Sequence, residues 1–145
     1  MDKVNFVLVL ILIIFLIFIS GCRGNIVEID NGEEVIKVNV EIADAAGERG
    51  KGLMFREGLG GDEGMLFIFE DSRERNFWMK NTLIPLDIVF ISEDFEILNI
   101  EEAEPCENEL CEIYSSDGSA KYVLEVNQGY SKKNNIKAGD NIKIK

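Results

Sequence analysis

Short runs of branched and aromatic residues, each closed off by turn chemistry, constrain this chain most. Val35 to Ile42 alternates, with Ile36, Val38, Val40 and Ile42 on one side and Lys37, Asn39 and Glu41 on the other. That period of two predicts a half-buried strand. Met65–Phe69, Phe77–Met79, Leu86–Ile91, Glu96–Ile100 and Tyr122–Val126 are likewise strand-sized and β-rich. Ser92-Glu93-Asp94 should reverse the chain between two of them, and Asp117-Gly118 suits a tight hairpin turn. Ile136 to Lys145 should close as a last edge strand. Asp44 to Phe55 has helix-like spacing but carries Gly47, Gly50 and Gly52. Each glycine costs about 1 kcal/mol against alanine in a helix interior, so a short helix or turn is expected there. The pattern predicts a mainly β fold: a compact antiparallel β-sandwich or small barrel with one or two short helices.

The N-terminus is different in kind. Val4 to Ile19 is an apolar stretch interrupted only by Asn5, and Ser20-Gly21-Cys22 follows at once. As a helix it spans about 24 Å, short of a bilayer core of about 30 Å, and is better sized for a signal-peptide core. Ile19-Ser20-Gly21-Cys22 resembles a lipobox, in which a peptidase cuts before a cysteine that carries the lipid. Residues 1–21 are therefore expected to be a lipoprotein-type signal peptide, with Cys22 the lipidated residue. Asp2 and Lys3 cancel in the n-region, which keeps an uncleaved anchor helix as an alternative, with a cytosolic protein as a third. Residues 22–34, polar and glycine-containing, read as a tether, and 35–145 as a single β-rich domain. Both leading readings place the folded part outside the cytoplasm, held at the cell membrane by its N-terminal segment.

Charge and composition narrow the chemistry. The chain has 15 basic against 27 acidic side chains, a formal net charge of −12, and no histidine. A histidine triad, a histidine-ligated zinc site and an imidazole switch are excluded, and nucleic acid is not an expected partner. An acidic surface is repelled by anionic head groups, so membrane association has to come from the anchor. Its ordinary role is solubility.

Two carboxylates interrupt apolar strands: Asp87 within Leu86–Ile91, and Glu125 between Leu124 and Val126. A buried carboxylate needs a donor or a cation, or it takes up a proton. Arg56, Lys80, Asn81 and Thr82 are candidate partners. One reading is a ligand cleft in which Asp87 and Glu125 face Arg56 or Lys80; the other is a structural ion pair or solvated edge positions. Trp78, the single tryptophan, shares a strand face with Lys80. An aromatic plate beside an amine, an amide and a hydroxyl suits sugars or other small polar molecules. The ordinary alternative is a core tryptophan with Asn81-Thr82 as a turn.

Cys106 and Cys111 close a short loop after Pro105. In an oxidising compartment two such cysteines are most simply a disulfide. The alternatives are a redox dithiol, or a copper(I) site shared with Met54, Met65 and Met79. Phosphate-loop, nucleophile-elbow and calcium-loop signatures are absent from the sequence, and no cofactor or metal is expected.

Several motifs carry a resemblance in their order: Gly52-Leu53-Met54-Phe55-Arg56, Glu63-Gly64-Met65-Leu66-Phe67, Phe77-Trp78-Met79-Lys80-Asn81-Thr82, Ile84-Pro85-Leu86-Asp87, Tyr122-Val123-Leu124-Glu125-Val126 and Gly139-Asp140. From about Val35 onward the chain resembles the family catalogued as domain of unknown function 192. The resemblance implies a compact, mainly β domain, often exported or anchored in bacteria and archaea, and brings no activity or catalytic residues with it. The Cys106/Cys111 pair resembles cysteines in the loops of some members. The expected function is a binding or accessory module for a small ligand or a protein. The rivals are a cell-envelope carbohydrate hydrolase using Asp87 and Glu125, and a copper-handling thiol and methionine protein.

Overall fold

A computed structural model describes residues 24–107 and 110–145. The expected signal or anchor helix, the lipobox and Cys22 lie outside the described residues. Among those described, no helix is long and apolar enough to cross a membrane.

Among the described residues, nine strands and two short helices follow one another: β1 (Asn25–Asp30), β2 (Val35–Ala43), α1 (Ala46–Lys51), β3 (Glu63–Arg73), β4 (Asn76–Trp78), β5 (Leu86–Ile91), β6 (Ile97–Ala103), β7 (Ile113–Ser115), β8 (Ala120–Asn127), α2 (Tyr130–Lys133) and β9 (Asn141–Ile144). Seven strands form one sheet in the order β6-β5-β8-β3-β2-β1-β9, and β4 pairs with β7 in a small second layer. The large sheet curls until its edges meet. Ile97 donates its N–H to the Asp140 carbonyl (2.9 Å), Gly139 donates to the Ile97 carbonyl (2.9 Å), and Ile142 donates to the Phe95 carbonyl (2.9 Å).

Two expectations are corrected here. Asn25–Asp30, expected within the 22–34 tether, is a strand paired with β2 and β9. Its alternation puts Val27 and Ile29 at 0% and 1% exposure, a burial that outweighs the polar residues between them. The sheet is also not wholly antiparallel, because β2 and β3 run parallel from Asn39↔Glu63 to Ala43↔Phe67. The segment containing α1 makes that crossover.

Two cores lie on opposite faces of the large sheet. The inner one draws on all seven strands, with Val27, Val38, Leu66, Val89, Ile97, Leu124 and Ile142 among its members, and Tyr130 and Ile136 pack into it. The outer one joins Phe67, Ile88, Phe90 and Val123 to Leu53, Met79 and Tyr114 from the covering layer. Strands between two cores need no polar face, which is why every residue of β5 is buried. Gly64 has a packing reason: a Cβ there would lie 2.6 Å from the Glu125 carbonyl oxygen, so any side chain would push β3 off β8.

Candidate functional site

Register decides where each acidic side chain points. Ile88 lies opposite Glu125 and Asp87 opposite Val126 across β5 and β8. Residues directly opposite share a face and neighbours along a strand alternate, so Asp87 and Glu125 project from opposite faces of the sheet.

Asp87, 1% exposed, serves the inner side. Its Oδ1 accepts the Gly129 N–H (3.0 Å) and its Oδ2 the Ser131 N–H (2.8 Å). Gly129 precedes α2 with φ +80°, a conformation that favours glycine. The carboxyl thus caps the first turn of α2, supplying from another strand the acceptor that a side chain at the helix start would otherwise give.

Glu125 faces the outer layer. On β8 it lies between Met65 of β3 and Ile88 of β5, both apolar. It is 5% exposed, and its carboxyl has neither a hydrogen-bond nor an ion-pair partner among the described residues. Burial without a partner pushes its pKa up from 4.5 to about 8, so at neutral pH the group is mostly a carboxylic acid.

That acid lies in the wall of a cavity of about 40 Å³ between the sheet and its cover. Phe67 and Phe77 are on the aromatic side, Trp78 and Thr82 at the β4 side, and Arg49 to Met54 close over it from the end of α1 and the turn that follows. Thr82 is 7% exposed; its N–H donates to the Met79 carbonyl (3.0 Å), while its hydroxyl is unpartnered among the described residues. Gly52 allows the lid to come down: it has φ +49°, and a Cβ there would meet Phe67 Cζ at 3.1 Å.

The covering layer is fixed by its own bonds. Glu48 Oε2 accepts the N–H groups of Asp44 (3.2 Å) and Ala45 (3.1 Å), closing the start of α1. Arg49 donates to the Asp44 carbonyl and to that of Ile68 (3.0 Å), with its guanidinium 5.2 Å from the Phe69 ring centre. Buried Arg75 stacks on the same ring at 3.9 Å. Phe77 meets Phe67 edge to face at 5.1 Å.

The other sequence-derived candidates are distributed as follows. Trp78 is 49% exposed, so it is a wall of the site and not a core tryptophan. Lys80 Nζ lies 5.7 Å from the Trp78 ring centre. Asn81, exposed with φ +59°, accepts the Phe55 N–H on its carbonyl (2.8 Å) and fixes the turn into Thr82. Arg56 is elsewhere, in a bidentate pair with Glu41 (2.6 and 2.5 Å) that holds the Glu41 carboxyl below its ordinary range. The pocket thus unites Trp78, Thr82 and Glu125, with Lys80 and Asn81 beside it and Arg56 and Asp87 outside it. The expected pairing of Asp87 and Glu125 across one cleft does not form. Sequence reasoning missed Arg49, Lys51, Phe67 and Phe77 as lining residues, although the Gly47–Gly52 spacing had marked a tight segment there.

Cys106 and Cys111 are joined in a disulfide, with their Cα atoms 5.7 Å apart. Disulfide sulfurs are not the thiolates that a copper(I) site requires, and the copper reading is corrected on that ground. Among the described residues no group of three or more acidic or cysteine side chains converges to hold a metal.

The family model DUF192, described as an uncharacterized ACR, matches residues 26–144. The chain belongs to the DUF192 family. A crystal structure of a proposed transcription regulator from Sinorhizobium meliloti 1021 is 36% identical, with a TM-score of 0.76, covering 83% of this chain and 92% of that one. A protein of unknown function from Novosphingobium aromaticivorans DSM 12444 is 35% identical, with a TM-score of 0.78, covering 86% of this chain and 88% of that one. No curated protein matches the chain.

Proposed function

We propose that this DUF192 protein is a membrane-tethered, extracytoplasmic binding module that takes a polar group of a small molecule into the Glu125 pocket. The observation that carries the reading is the unpartnered, buried Glu125 carboxyl opening on a cavity beside a second unpartnered group, Thr82. Such a carboxyl costs stability, and its retention in a cleft fits a ligand that supplies the missing partner. Half-exposed Trp78 offers that ligand a flat apolar wall. The apolar leader with its lipobox-like end supports the tether, and the Cys106–Cys111 disulfide suits an oxidising compartment.

The hydrolase reading loses its dyad, because Asp87 is committed to α2 on the far face. Regulation through DNA is not carried over from the Sinorhizobium protein, since a chain with a net charge of −12 offers little to a phosphate backbone. A second reading, capture of a protein partner, is favoured by one observation. Phe55, Leu83 and Ile113 are exposed apolar residues next in sequence to, or paired across from, the lining residues Met54, Thr82 and Trp78.

The test is a titration of the full-length protein in detergent with hexoses, N-acetylhexosamines and uronic acids, followed by Trp78 emission and by thermal unfolding. At least one class should give a saturable shift that Glu125→Leu removes while the variant stays folded. A shift that Glu125→Leu leaves intact, or no shift from any class, overturns the reading. Mass analysis of the native protein tests the tether: a chain beginning at a lipid-modified Cys22 is expected, and a full-length soluble chain with reduced cysteines would refute it.

A further inference from the structure

The groups around the cavity define the kind of polar group it can hold. Glu125 and Thr82, 5% and 7% exposed, both face it and neither has a side-chain partner among the described residues. As a neutral acid and a hydroxyl they can each donate one hydrogen bond. From β3 and β5 the neighbours of Glu125 are Met65 and Ile88, which carry no charge. From α1 the charged groups lining the same cavity are Arg49 and Lys51, both cationic. Lys80, outside the lining, holds its ammonium 5.7 Å from the Trp78 ring centre. In a chain with 27 acidic side chains, Glu125 is, among the described residues, the one acidic residue in this lining.

An incoming ammonium would meet Arg49 and Lys51 as like charges and would need Glu125 to ionise first. An incoming carboxylate meets the cations with the favourable sign and then finds two O–H donors. A cavity of about 40 Å³ has room for a group the size of a carboxylate.

We infer that the polar group this pocket receives is a carboxylate, carried by a small polyhydroxylated molecule of the acidic-sugar class whose ring lies against Trp78. This rests on the binding reading above and specifies its ligand chemistry. Glu125 and the ligand carboxylate then share one proton between them, as two carboxyls forced together do. Binding should therefore weaken as the pH rises past about 8, by about tenfold per pH unit once Glu125 is ionised in the free protein.

Three matched probes test this on the full-length protein in detergent, with Trp78 emission as the signal: D-glucuronate, D-glucose and D-glucosamine. Glucuronate should bind at least about tenfold more tightly than glucose at about pH 6, and lose most of that advantage at about pH 9. Glu125→Gln, which can still donate from its amide, should keep glucuronate binding and lose its steep decline at high pH. Equal binding of glucose and glucuronate, or a preference for glucosamine, overturns the carboxylate assignment and leaves the binding reading standing. Binding of none of the three overturns both.

Discussion

Asp87 and Glu125 lie one register step apart on paired strands, yet their carboxyls never meet, because the sheet passes between them. One has two backbone N–H donors and a structural task; the other has no partner and an open cavity. Two acidic residues that look equivalent in the sequence thus divide into a strut and a candidate receptor.

Glu125 should make stability depend on pH in a way its removal abolishes. Its folded pKa of about 8 lies above its ordinary 4.5, so between these values the folded state holds the extra proton. This contribution is full below about pH 4.5, is lost as the pH rises towards about 8, and is on the order of a few kcal/mol in all. Glu41 and Asp71, whose pKa values are pushed down by hydrogen bonds from Arg56 and Arg75, act in the opposite sense and only at lower pH. Urea unfolding at a series of pH values above about 5 should show the Glu125 slope in the native protein and none in Glu125→Leu. The leucine variant should also be the more stable of the two near pH 8.

Asp87→Ala should cost about 3 kcal/mol, since it leaves two N–H groups at the start of α2 without their charged acceptor. Asp87→Asn, which keeps one acceptor oxygen, should cost less. Both should leave the response of Trp78 to ligand unchanged in whatever fraction is folded, which separates a structural role from a binding one.

Replacing both Cys106 and Cys111 by serine should remove about 2 kcal/mol at most, because the loop they close is short. Hydrogen exchange should speed up mainly across residues 104–113. A loss of protection across β5 and β8 would show the bridge to be a global support instead.

Gly64→Ala should destabilise the fold by about 1–3 kcal/mol through overpacking, as the new methyl meets the Glu125 carbonyl. Thermal unfolding would register it. A neutral result would mean that β3 and β8 can separate without cost.

The strands were legible because their residues obey a simple rule: alternation in β2, and continuous apolar runs in β5 and β8 where both faces are covered. β1 was obscured because Asn25, Glu28 and Asp30 dilute the signal of Val27 and Ile29, and only pairing with β2 and β9 reveals the strand. Glu125 could be picked out as a polar interruption. Its separation from Asp87 could not, because which face a side chain takes depends on a register that no local pattern fixes. Arg49 and Lys51 were missed for a related reason: a six-residue helix carries too little periodicity to say what it will cover.

The pairing of β1 with β9 also bears on how the molecule is made. The Ile26 and Lys145 main chains exchange two hydrogen bonds, so β1 finds its outer neighbour only once β9 has been translated. Contacts this remote in sequence are slow to form, and the sheet cannot close before β9 is available. Until then the curl keeps an unzipped rim, and β6 and β1 both wait on the same late ribbon.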